Sequence, residues 1–110
     1  SGGYFEYVPN LRMKDDECFE EVIKVLNGDR SRVKRLNLNA GDLQFFLGRF
    51  SLHRVTHNSG STDRLLLIQS FTEMPGIIGN PQRVKDLYGK TTKDHQEKVN
   101  DRARSDQLLD

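Results

Sequence analysis

The segment Gly48-Arg49-Phe50-Ser51-Leu52-His53-Arg54-Val55 places a histidine in the middle of an alternating, strand-forming run. Before it, Leu43 to Leu47 is apolar except for Gln44, and Gly48-Arg49 separates that run from Phe50 to Thr56. The two runs read as strands joined by a tight bend. Asn39-Ala40-Gly41-Asp42 precedes them as a turn, with Asp42 as a turn former. After them, His57-Asn58-Ser59-Gly60-Ser61-Thr62-Asp63 is a polar loop. Arg64 to Phe71, with Leu65-Leu66-Leu67-Ile68, is the most hydrophobic strand and is expected to be buried on both faces. Side chains alternate along a strand, so Ser51, His53 and Val55 share one face, and Arg64, Leu66 and Ile68 share another. Arg49 and Arg54 read as outward-facing.

Outward from this centre, Tyr4-Phe5-Glu6-Tyr7-Val8 alternates and ends at Pro9, the pattern of a strand. From Asp15 to Leu26, Phe19, Val22, Ile23 and Leu26 recur at helical spacing, with acids in front and Asn27-Gly28 behind. This predicts a short amphipathic helix with a glycine stop. Val33 to Leu38 carries strand signals. Four or five strands in the first seventy-odd residues predict a sandwich or barrel. Beyond Met74-Pro75-Gly76, Val84, Leu87 and Tyr88 form a helical face closed by Gly89, and Thr91 to Asp110 is almost wholly polar until Leu108-Leu109. The resulting division is residues 1–79, with a helical insert at about 15–27, and a helical or partly disordered tail, 80–110.

Composition narrows the function classes. With 110 residues, 30% charged and 35% hydrophobic, one modest core is expected. The net charge of +1, with both signs interspersed, leaves no basic field for a phosphate backbone, so no nucleic-acid partner is expected. Arg30, Arg32, Lys34 and Arg35 form the one local excess of base and read as the solvent side of a strand. Cys18, the lone cysteine, excludes an internal disulfide and fits a reducing compartment. No apolar run nears the roughly 20 residues needed to cross a bilayer, so the expectation is a cytoplasmic protein without a membrane partner.

Taken in order, Gly41-Asp42, then His53-Arg54-Val55, then Arg64 after ten intervening residues resemble the distal half of the double-stranded β-helix of iron(II)- and 2-oxoglutarate-dependent oxygenases. In that family a glycine-aspartate turn opens a strand, a histidine in a His-Arg-Val context binds iron, and an arginine on the next strand binds the co-substrate. The opening Gly2-Gly3-Tyr4-Phe5-Glu6-Tyr7-Val8-Pro9 looks like the strand that follows the family's proximal His-x-Asp or His-x-Gly motif. The resemblance spans roughly Gly2 to Gly79. It implies a mainly β fold with helices, a partial cupin-like jelly roll, and an Fe(II) and 2-oxoglutarate cofactor set with His53 as metal ligand and Arg64 as co-substrate clamp.

The residue types suit that chemistry. Non-haem iron(II) takes two imidazoles and one carboxylate on one face of an octahedron, and a guanidinium grips a carboxylate with two parallel hydrogen bonds. Yet no histidine precedes His53, and His95-Gln96-Glu97 has the letters of His-x-Glu in the wrong chain order. The expectation is therefore a fragment, inactive alone. His57 stands where many relatives carry proline, and Leu66 where several carry a serine or threonine that helps hold the co-substrate. Within the superfamily, Phe5 to Asn10 and the helical insert look most like small enzymes that hydroxylate or chlorinate free amino acids, so the implied substrate is a small molecule of that kind. Tyr4, Glu6 and Asn10 border the implied pocket, although ordinary strand packing is the simpler reading. A non-catalytic cupin-like binding module is the alternative. A fragment with lost neighbours is also expected to form a homodimer, through Gly2 to Val8 and Leu65 to Phe71.

Overall fold

The computed structural model describes residues 2–71, 75–97 and 108. The chain divides into two units, Ser1–Leu66 and Leu67–Asp110. The class is mixed α/β, with a small three-stranded antiparallel sheet and three helices among the described residues.

In the first unit, β1 (Phe5–Val8) is the centre of the sheet, between β2 (Lys34–Leu36) and β3 (Leu52–Val55). The register sets Phe5 opposite Leu36 and Val55, Glu6 opposite Arg35 and Arg54, and Tyr7 opposite Lys34 and His53. The alternation seen in the sequence therefore gives β1 two unlike faces, one aromatic and one carrying a carboxylate. Gly2 extends the β1–β3 pairing through an isolated bridge to Asn58. Its φ of 140° and the carbonyl oxygen of His57, 2.2 Å from where a Cβ would stand, leave room only for glycine. Phe5, Val8 and Leu11 are the buried apolar residues of this unit.

α1 (Phe19–Leu26) ends as expected. Gly28 has φ 107°, its N–H donates to Val25 O, and that of Asp29 donates to Lys24 O, which is a Schellman stop. The front is shorter than the sequence suggested. Asp16 pairs with Met13 in a tight bridge, and its side chain accepts from the Cys18 N–H at 2.7 Å, so Asp16 closes a turn ahead of the helix, while Glu20 and Glu21 stand in its first turn. The expected apolar stripe is only partly inward: Val22 and Val25 are half-buried while Phe19, Ile23 and Leu26 are exposed.

Three sequence expectations are corrected. Leu43 to Leu47 is not a strand but leads into a turn, with the Phe50 and Ser51 N–H groups donating to Leu47 O. Arg64 to Phe71 is not a strand either, and Leu65 is 91% exposed instead of buried on both faces. An apolar run becomes a strand only when a neighbour supplies ladder hydrogen bonds, and no described segment pairs with these runs. Finally, Gly2 to Val8 is not an unpaired edge, because β1 has a neighbour on each side; among the described residues the edges of this sheet are β2 and β3.

In the second unit, α2 (Pro81–Tyr88) starts at Asn80, whose side chain accepts from the Arg83 N–H at 3.2 Å, with Pro81 at the first helical position. It stops at Gly89 with φ 73°, as the sequence predicted. α3 (Lys93–Glu97) follows, and Leu108 is buried. The rest of the expected tail, 98–107 and 109–110, lies outside the described residues. Among the described residues no helix is long and apolar enough to cross a membrane.

Candidate functional site

His53 sits on β3 opposite Tyr7, on the aromatic face of the sheet. Its ring stacks near Phe5, with centroids 5.9 Å apart at 27°, and meets Phe46 edge-on at 4.9 Å. Phe5 and Phe46 themselves make an edge contact at 5.2 Å. Gly48 makes this packing possible: a Cβ there would stand 3.0 Å from the Phe46 ring and 3.5 Å from His53 Cε1. His53 Nδ1 lies 2.8 Å from Ser51 O. A carbonyl only accepts, so Nδ1 carries a proton in this contact, and in the neutral ring the lone pair is then on Nε2. That is how a metal-ligating histidine is commonly oriented.

Ser51 is fixed in turn, buried with its hydroxyl accepting from the Asn10 N–H at 3.3 Å. Arg64 lies against Gly3, with its Cδ 3.1 Å from where a Gly3 Cβ would stand; Gly3 donates its N–H to His57 O. Arg12, Arg30, Arg32, Arg35 and Arg54 each contact a carboxylate, whereas the Arg64 guanidinium has no such partner among the described residues. A cavity of about 120 Å³ in this unit is lined in part by His53 but not by Arg64.

The opposite face centres on Glu6, which is 8% exposed. Arg30 Nη2 and both Arg54 Nε (3.0 Å) and Nη2 (2.9 Å) donate to its Oε2, and Arg35 reaches Oε1 at 3.5 Å. The hydrogen bond from Arg30, followed by that from Arg54, holds the Glu6 carboxyl below its ordinary value of 4.5 against the opposing effect of burial. Arg35 also lies over the Tyr4 ring, 4.3 Å from its centroid.

Tyr4, Glu6 and Asn10 thus serve sheet structure in this chain. Asp42 accepts from the Asn39 N–H at 2.7 Å as a turn former. The carboxylate-centred cluster is the feature that sequence reasoning missed, and Arg54, read as merely outward-facing, belongs to it. Its signal was an acid in the middle of an otherwise apolar strand.

The donor set tests the fit of a metal. No group of three His, Cys, Asp or Glu side chains is placed to hold an ion among the described residues. A non-haem iron site needs two imidazoles and a carboxylate, and among the described residues His53 stands without the other two, so the described residues do not by themselves make such a site. Comparison with protein-family models, curated proteins and solved structures gives no match.

Proposed function

We propose that the chain carries the distal part of an Fe(II)/2-oxoglutarate oxygenase site on a double-stranded β-helix, with His53 as one iron ligand and Arg64 as the clamp for the far carboxylate of 2-oxoglutarate. The observation that carries this reading is the His53 side chain: its Nδ1 lies 2.8 Å from Ser51 O, a contact that needs the Nδ1 proton and, in the neutral ring, puts the lone pair on Nε2. Arg64 supports it as a guanidinium without a carboxylate of its own among the described residues. In such a site dioxygen would be the oxidant, bound ferrous iron would activate it, and 2-oxoglutarate, decarboxylated to succinate, would supply two of the electrons needed for hydroxylation or halogenation of a small substrate such as an amino acid. His53 contributes one coordination position, and Arg64 contributes directed hydrogen bonds and a fixed charge. The reading requires two further metal ligands beside His53.

The test compares this chain with one extended by the residues encoded upstream of Ser1. With ferrous iron, the present chain is expected to decarboxylate 2-oxoglutarate at background rate, because one imidazole holds iron poorly against water. The extended chain is expected to bind 2-oxoglutarate by calorimetry and to turn it over, and His53→Ala to abolish the turnover. Turnover that survives His53→Ala overturns the assignment. An upstream sequence without His-x-Asp or His-x-Gly, together with no turnover, favours a cupin-like binding module.

A further inference from the structure

On the face of the sheet away from the His53 ring, one carboxylate is surrounded by three guanidiniums. Glu6 is opposite Arg35 on β2 and Arg54 on β3, and Arg30 reaches it from the loop after α1. One negative charge against three positive leaves an excess of two. Each guanidinium has five N–H donors in a fixed fork, and the contacts to Glu6 use one from Arg30, one from Arg35 and two from Arg54. Most of the donors remain unused, and the three side chains keep between 42% and 61% of their surface exposed.

The cavity described above opens on this cluster. Glu6, Arg30 and Arg54 line it on the polar side, and Val25, Leu26, Val33 and Leu52 make apolar walls. At about 120 Å³ the space is well below the size of a drug-like ligand pocket but ample for a few heavy atoms.

We propose that this cavity is a binding site for a small doubly charged oxyanion, a phosphate or a short dicarboxylate, gripped by Arg30 and Arg54 with Arg35 adding charge from the neighbouring strand. Glu6 has two roles here. It holds the three forks in place, so that little side-chain order remains to be gained on binding, and it keeps the empty cluster from carrying its full repulsion. Tyr7 and His53 also belong to the lining, but the His53 ring packs with Phe5 and Phe46 on the other face of β1 and Arg64 takes no part, so a test read at Arg30 and Arg54 can fail without deciding the oxygenase reading.

The experiment is an NMR titration of the intact chain, following the arginine Nε–Hε resonances, with inorganic phosphate and with succinate in about 0.15 M sodium chloride, where diffuse surface attraction is largely screened. The expected result is a saturable shift at Arg30 and Arg54 with at least one of the two anions; which one responds separates the phosphate source from the dicarboxylate source. Arg54→Lys keeps the charge and loses the fork, and is expected to weaken binding about tenfold. Linear shifts that never saturate, or a response removed by Arg64→Ala and untouched by Arg54→Lys, overturn the proposal. The wild-type titration decides the matter even where a variant fails to fold.

Discussion

On one side of β1, Phe5 packs its ring against Tyr7, Phe46 and His53; on the other, one residue along, Glu6 gathers Arg30, Arg35 and Arg54. The aromatic side is held mainly by contact area and dispersion, which are sensitive to any loss of volume. The ionic side is sensitive to protonation and screening, and its arginines can return to water when the carboxylate is lost. It also reports register: Arg35 and Arg54 stand directly opposite Glu6, and a slip of one residue would turn Glu6 onto the aromatic face. One short strand thus carries two faces that answer to different perturbations, although Val8, on the Glu6 face, is its most buried side chain.

The largest effect should come from breaking the aromatic side. Phe5 is 8% exposed, and Phe5→Ala removes the ring that the three others contact. The expected loss is about 3 kcal/mol, the lower end for a buried phenylalanine, because the sheet face around it is only partly covered. Urea unfolding checks it. A loss under about 1 kcal/mol would mean that the ring cluster ornaments the sheet without holding it.

Removing the charge on the other side should cost less and should depend on pH. The folded-state pKa of Glu6 lies below its ordinary value of 4.5, so its contribution is fully present above that value and is lost as pH falls through the lowered folded one. Glu6→Gln is therefore expected to be less stable than the parent at neutral pH, by less than Phe5→Ala, with the difference closing on acidification and shrinking in high salt. A deficit that stays constant from neutral to strongly acid solution would assign the role of Glu6 to shape, and the contrast between the two faces would fail.

The sequence displayed one face better than the other. Alternation from Tyr4 to Val8 made β1 legible, the spacing of Phe19, Val22, Ile23 and Leu26 with Asn27-Gly28 behind made most of α1 legible, and Gly89 marked the end of α2. These are local signals, carried by residues within one turn or one strand. Whether Leu43 to Leu47 or Arg64 to Phe71 becomes a strand depends on a partner, and hydropathy alone does not supply one. The Glu6 cluster was hidden for a related reason. Its members are separated by up to 48 positions and meet only through the register of three strands and the loop that brings Arg30 to Glu6. At the candidate site, the sequence proposed His53 and Arg64 by resemblance, but it could not show the Ser51 carbonyl on Nδ1, because that contact depends on the ring's rotamer.

The smallest effect, and the one that sharpens the aromatic side, belongs to Gly48. A methyl group at Gly48 would stand 3.0 Å from Phe46 Cε2 and 3.3 Å from its Cζ, with His53 Cε1 at 3.5 Å. The crowded atoms are the far end of an exposed side chain, so the Phe46 ring can swing away without moving the backbone. Alanine also restricts the unfolded chain, which offsets part of the steric cost. Gly48→Ala should therefore change stability by no more than about 0.5 kcal/mol. It should still be visible at His53, whose Cε1 proton lies under the edge contact with Phe46 and should shift as that ring moves. A stability loss above about 1 kcal/mol with an unmoved His53 resonance would place the need for glycine in the bend between Leu47 and Phe50 and not in the ring packing. The opposite pattern, an unchanged fold with a displaced histidine signal, would show that Gly48 sets the position of the imidazole through Phe46 while contributing almost nothing to the sheet itself.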